Sequence, residues 1–474
     1  MSAESRRPAG DAARKTAEGR RMRVLLPGIG RSMFSALRHR NFRLFWFGQI
    51  ISVTGTWMQS IGQAWLVLQL SHSAFLLGVV SALQFLPLLV LALFGGVIAD
   101  KLPKRKVLLG TQAASMIQAF TLFVLAGTGV VQVWHIMVLA CCLGLVNALD
   151  MPTRQAFISE MVGRQDLMNA VSLNSAQFNA SRIVGPAIAG VLIALLGIPP
   201  LFLLNSLSYV AVLIGLWLMD PAELLAPTRV ARAGQRPLQQ IREGVAFSLR
   251  SPIIRLVLIM VFVISTFGMN FNIILPLLAD TVYHSGAPGF GLLSSMLGVG
   301  SLLAALVIAG TVKRPRPSTL VISGVAFGLS EIGLSAVRAQ PLAIIVLPLI
   351  GFSTISFSAT ANSLLQTNAP DHMRGRVMSL YAMVFAGATP IGALVAGTIA
   401  ARLGAPAAVL IGALPSLLVA VYGLFVWRSA AAAMERADAR GDTSGMIAQR
   451  ADGNAALASS TPADAPIRAS AGTP

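Results

Sequence analysis

Residues Ala74–Lys106 read AFLLGVVSALQFLPLLVLALFGGVIADKLPKRK. No charged side chain falls between residues 74 and 99. A helix of that length rises about 39 Å, more than the roughly 30 Å hydrocarbon core of a bilayer. The run stops at Asp100 and at once meets Lys101, Lys104, Arg105 and Lys106. A long apolar stretch closed by a basic cluster reads as a transmembrane helix whose basic end stays in the cytoplasm.

Outward from this stretch the same pattern recurs along all but the ends of the chain. Apolar runs fall at about 42–70, 74–99, 107–127, 132–151, 169–196 and 199–219, then at about 253–280, 288–311, 318–337, 341–366, 377–401 and 406–427. Composition agrees. Of 474 residues 55% are apolar and only 11% charged, whereas soluble domains carry about 25% charged residues. A soluble fold is excluded, and so is disorder over most of the length. Twelve spans of about 20 residues would consume nearly the whole apolar supply.

The net charge is +18, a balance that elsewhere suggests nucleic-acid binding. Here the basic residues occupy the short segments between runs. On one side lie ten in residues 1–41, then Lys101 to Lys106, Arg154 and Arg164, Arg229 to Arg250, Lys313 to Arg316, and Arg374 and Arg376; the opposite loops offer Arg338 and Arg402. Twelve spans with both termini inside satisfy that bias. Cys141 and Cys142 are adjacent within an apolar run and form neither a disulfide framework nor a zinc pattern.

The expected fold is all-α and integral to the membrane. A basic disordered tail (1–41) precedes a six-helix bundle (42–219). A cytoplasmic linker with a surface helix at 238–249 (220–252) leads to a second bundle (253–428), and a disordered tail (429–474) ends the chain. The halves superpose in sequence at an offset of about 207–212: Gly144 on Gly351, Ser172-Leu173 on Ser379-Leu380, Gly190 on Gly397 and Leu196-Gly197 on Leu403-Gly404. Parallel repeats of this kind imply two bundles about an axis along the membrane normal.

The stretch Gly96-Val97-Ile98-Ala99-Asp100-Lys101-Leu102-Pro103-Lys104-Arg105 resembles the signature loop of the major facilitator superfamily, Gly-x-x-x-Asp-basic-x-Gly-basic-basic, with Pro103 in place of a Gly. The second-half counterpart, Gly310 to Arg316, keeps the basic residues but has no Asp. A longer match, Asn147 to Phe157 followed by Asn169 to Gly190, is similar to the exporter branch of that superfamily that handles drugs, macrolides and enterobactin. Gly185-Pro186 with Gly190 resembles its fifth-helix antiporter motif. The resemblance implies alternating access, with Gly96, Asp100, Lys101, Lys104 and Arg105 in a gating motif. Asp150 and Arg154 would join a cytoplasmic charge cluster beside Asp100 and Lys104.

Charged side chains at mid-bilayer depth are costly and usually functional. By helical rise Arg182 and Glu331 sit at that depth, as candidate anion ligand and proton carrier. Gln49, Ser52, Thr56, Gln59, Ser60 and Gln63 share one face of the first span. Gln49, Thr56, Gln59, Gln63 and, in the seventh span, Asn270 are candidate cavity residues, although interhelical hydrogen bonding explains such residues as well. No catalytic constellation, metal cluster, cofactor motif or ATP-binding loop is present, so we expect no enzyme. The expectation is a monomeric inner-membrane transporter exchanging protons for a small molecule, drug-like or siderophore-like. A same-fold importer, a lysophospholipid flippase and a non-transporting membrane sensor are the alternatives.

Overall fold

In lipid a backbone must satisfy its own hydrogen bonds, which leaves helices as the spanning form for a chain patterned this way. The computed structural model describes residues 34–225, 237–311 and 316–439. Among the described residues ten helices are long and apolar enough to cross a membrane by length and composition. The elements are α1 (Arg40–Ser71), α2 (Ala74–Lys101), α3 (Lys104–Gly127), α4 (Val133–Leu196) and α5 (Pro199–Trp217). After the linker come α6 (Pro237–Arg250), α7 (Pro252–Phe267), α8 (Phe271–Leu277), α9 (Gly286–Thr311), α10 (Pro317–Ala336), α11 (Gln340–Asn368), α12 (Asp371–Leu403) and α13 (Ala405–Ala439).

Several elements depart from a reading in which each apolar run is one long apolar helix. The 32-residue α1 is not among those ten helices, because the polar residues along it lower its mean hydropathy. The 64 residues of α4 would make a rod of about 96 Å if straight. Gly163, at φ 70 and ψ −177, breaks it into two legs, and the amide of Leu225 donates to the Glu160 carbonyl beside that break at 2.9 Å.

Residues up to Val421 form one compact unit, and Tyr422 onward a second, in which α13 runs as helix to Ala439. The tail expected over 1–41 is folded from Phe34. A 3-10 turn, Ser35–Arg38, places Ala36 fully buried among Phe42, Phe157 and Leu173. Its anchors are the Ala36 amide donating to Asn169 Oδ1 at 3.0 Å and His39 Nε2 donating to Asp166 Oδ2 at 2.8 Å. Likewise the helix to Ala439 runs past the boundary expected at 428. Residues 1–33, 226–236, 312–315 and 440–474 lie outside the described residues, as do the surroundings of Gly96 and the side chains of Asp100 and Lys101.

The repeat has structural counterparts. Gly197 and Gly404 each cap a helix at positive φ, 79 and 84, a conformation that L side chains rarely adopt. Gly144 in α4 lies against the Gln84 carbonyl of α2, and Gly351 in α11 against the Leu297 carbonyl of α9. In both places a missing side chain lets two backbones meet, as small residues do where membrane helices cross. Contacts between the halves follow the same chemistry. The second leg of α4 meets α9 through Gly190 and Gly291, and α2 meets α12 through Gly78 and Gly397.

Candidate transport site

The polar face of α1 is spent on its neighbours. Gln59 donates to Gln118 Oε1 of α3 at 3.0 Å and accepts from Asn205 of α5 at 2.7 Å. Gln63 donates to Gln84 of α2 at 3.2 Å. Thr56 Oγ1 lies 3.3 Å from the Tyr209 hydroxyl while donating to the Ser52 carbonyl. Gln49 accepts from Arg154 Nη1 at 2.6 Å. These bonds hold the first-half helices together, the use that interhelical hydrogen bonding predicts.

Arg154 continues the network. It pairs with Asp150 one turn earlier, and that buried carboxylate also accepts from Thr111 Oγ1 at 2.7 Å and Gln112 Nε2 at 2.8 Å. Asp150 thus collects three donors from two helices, while Gln49 Nε2, Gln112 Oε1 and Arg154 Nε are buried without a partner.

Lys104 binds elsewhere. Its ammonium meets Glu160 at 2.6 Å, with both side chains mostly buried, so the cluster expected around Asp150 and Arg154 has a separate neighbour in Lys104–Glu160. Arg105 donates to the carbonyls of Leu216 and Trp217 at 2.7 and 2.9 Å, closing the C-terminal end of α5 as a basic side chain does. Glu160, Gln84, Gln118, Asn205 and Tyr209 were not singled out from the sequence. None carries a sequence mark of its partner, which only the packing shows.

The Gly185-Pro186-Gly190 motif lies between two helices. A Cβ on Gly185 would stand 2.5 Å from Trp57 Cβ and 2.9 Å from the Thr54 carbonyl, both on α1. On the other side Gly190 faces the backbone of α9, where an added Cβ would stand 3.2 Å from the Ala287 carbonyl and from the Cα atoms of Pro288 and Gly291. Thr54 Oγ1 also bonds Ser181 Oγ at 3.0 Å. One turn before Pro186, the Arg182 guanidinium lies over the Trp57 ring, 5.8 Å from its centroid, and Phe178 meets Trp57 edge-on at 5.8 Å. Among the described residues Arg182 has no hydrogen-bond or ion-pair partner. At the mid-bilayer depth expected from the sequence, a charge would cost about 2.5–3.5 kcal/mol on insertion scales, and a ring face returns only about 0.5–2 kcal/mol.

Glu331 stands in α10, 3% exposed, with Oε2 buried and without a partner. Its surroundings are the Phe327 ring and Gly268, where an added Cβ would stand 3.0 Å from Oε2. Gly268 lies in the interruption between α7 and α8. Asn270 spans that interruption, donating to the Thr266 carbonyl at 2.8 Å and facing Gly392 of α12. Broken helices at bilayer depth occur where protein or a cavity surrounds them.

Residues 31–448 match the family described as "Transmembrane secretion effector", a branch of the major facilitator superfamily. The chain belongs to that family. It is 28% identical over 357 residues to the staphyloferrin A transporter of Staphylococcus aureus, covering 74% of this chain and 87% of that one. The multidrug efflux pump Tap of Mycolicibacterium fortuitum is 28% identical over 81% of this chain and 95% of its own. The enterobactin exporter EntS of Shigella boydii is 25% identical over 77% and 86%. Among solved structures, the nucleoside transporter NupG superposes with a TM-score of 0.66 at 12% identity, over 81% of this chain and 98% of its own; that likeness concerns the fold alone. This major facilitator protein is therefore a multi-pass membrane transporter, from a family of transporters rather than enzymes.

Proposed function

We propose that this transmembrane secretion effector is a secondary active exporter that moves a small molecule out of the cell in exchange for protons by alternating access. The twelve spans are α1, α2, α3, the two legs of α4, α5, α7 continued by α8, and α9 to α13. They form two six-helix bundles, residues 42–219 and 253–428, with both termini cytoplasmic in the inner membrane. The protein acts as a monomer, its cargo drug-like or siderophore-like.

The observation that carries this reading is the pair of side-chain-free seams, Gly190 with Gly291 and Gly78 with Gly397. Each joins a first-half helix to a second-half helix, and the repeat relates Gly190 to Gly397. Two matching smooth contacts suit halves that rock against each other, a bistable arrangement rather than a fixed one. The efflux pump Tap and the enterobactin exporter EntS among its relatives support the direction.

Glu331 serves as proton carrier in this proposal, and the α7–α8 interruption beside it links its protonation to a bend in the second half. Gln49, Gln59 and Gln63 brace the first half, and Thr56 and Asn270 border the path. Gly96, Asp100 and Lys101, with Lys104 and Arg105, act at the cytoplasmic gate. Everted vesicles energised to a proton gradient test the reading. Cargo found by screening a deletion strain against antibiotics and iron-limited medium should release protons from wild-type vesicles. Vesicles carrying Glu331→Gln should exchange cargo without proton movement. Unchanged proton release by Glu331→Gln would remove that residue, and cargo movement indifferent to the gradient would remove the mechanism.

A further inference from the structure

We propose that Arg182, Trp57 and Phe178 form a recognition point for a planar organic anion, so that the cargo of the exporter proposed above carries a carboxylate or similar acid beside an aromatic face. The inference rests on that transport reading for the word cargo, while the binding site itself stands on geometry.

A guanidinium keeps its charge and presents five donors. That of Arg182 is half-buried, lies over the Trp57 ring and has no acceptor among the described residues. Nor does the sequence around it supply a counter-charge. No Asp or Glu occurs anywhere in α1, α3 or α9, and the one acid of α2 is Asp100 at its far end. Within α4 the nearest acid is Asp166, 16 residues away, or about 24 Å along a helix. The bundle has therefore gathered α1, α4 and α9 around a cation without an anion, whereas Lys104 and Arg154 are each paired with an acid.

The neighbours define what would fit. Trp57 lies beneath the guanidinium, and Phe178 meets that ring edge-on while leaving 46% of its own surface exposed. An aromatic body can rest against Phe178 while its acid group takes the fork of Arg182, which matches a carboxylate in two parallel hydrogen bonds. A cationic body would meet like charge. The Thr54–Ser181 hydrogen bond and Gly185 fix α1 against α4 at this level, so the three side chains are held on helices rather than loops. Beside them, the Arg182 carbonyl and Ile183 line the seam with Gly298 of α9, so an anion here would sit where the halves meet.

A matched probe set tests the site on purified full-length protein without any gradient: 2-naphthoate, 2-naphthamide and (2-naphthylmethyl)trimethylammonium, titrated by calorimetry. Wild type should bind the carboxylate at least about tenfold tighter than the amide, the scale of a charge-assisted hydrogen bond, and the ammonium most weakly. Arg182→Gln should erase that preference by weakening the carboxylate far more than the amide, and Arg182→Lys should keep the ranking. Thermal unfolding of each variant identifies a folding defect, and Arg182→Lys carries the comparison if the Gln variant is unstable. Equal affinities in wild type, no binding of the carboxylate, or a preference that survives Arg182→Gln would overturn the proposal. Binding intact with no flux in vesicles would overturn the transport reading instead.

Discussion

Gly190 of α4 and Gly291 of α9 lie back to back. A Cβ on Gly190 would stand 3.2 Å from the Gly291 Cα, and one on Gly291 only 2.8 Å from the Gly190 Cα and 2.5 Å from the Pro186 carbonyl. Space of this kind has no flexible side chain to yield, so adding one methyl separates two backbones. Gly291→Ala should lower stability by about 1–3 kcal/mol, the usual penalty of overpacking. Gly333→Ala in α10, where nothing lies within 4 Å, should instead raise it by about 0.4–1 kcal/mol through helix propensity and the lost freedom of the unfolded chain. Unfolding midpoints in detergent compare the two; equal effects would mean that the seam tolerates separation.

Asp150 and Arg154 make a second, sharper case. Removing one member of a buried pair strands the other, at about 3–5 kcal/mol, whereas removing both costs far less than the sum. Asp150→Ala takes one acceptor from each of Arg154, Thr111 and Gln112, leaving Arg154 only its bond to Gln49. A double-mutant cycle with Arg154→Ala should show strong coupling of the two losses. Additive losses would mean that the pair contributes nothing beyond its separate packing.

Much of this was legible in the chain because lipid imposes a simple code. Apolar runs had to be helices. The repeat was legible because backbone geometry selects glycine: Gly197 and Gly404 sit at positive φ, and Gly144 and Gly351 sit where backbones touch. Partnerships were not legible. Nothing in spacing tells that Gln59 meets Gln118 and Asn205, since one glutamine face looks alike whether it binds cargo or a neighbouring helix. Lys104 similarly carries no mark of its partner Glu160, 56 residues on. Helix ends were blurred as well. The sequence between the fourth and fifth runs is polar enough to read as loop, yet α4 stays helical on both sides of Gly163.

The Lys104–Glu160 pair gives a reversible test. With both side chains mostly buried, Glu160→Lys sets two ammonium groups together and should cost about 1.5–3 kcal/mol, the scale of a hydrogen bond to a charged group. Combining it with Lys104→Glu restores opposite charges and should recover most of that loss. Thermal unfolding of the single and double variants reads the outcome. A double variant as unstable as the single one would show that position, rather than charge, is what matters here.

Asp166 offers a prediction in pH. Hydrogen bonds from Ser35 and then His39 hold its carboxyl below the ordinary 3.8. A group depressed in the folded state adds stability above its unfolded pKa and loses it as pH falls through its folded value. The anchoring of residues 35–39 against α4 should therefore be complete at neutral pH, begin to fade near pH 3.8, and disappear once the depressed value is passed. The Ala36 amide, bonded to Asn169, reports it. Its hydrogen exchange, corrected for intrinsic rate, should speed up on acidification in wild type. Asp166→Asn should exchange faster already at pH 7 and change little with acid, and protection in that variant equal to wild type at pH 7 would show that the turn is held by the burial of Ala36 alone.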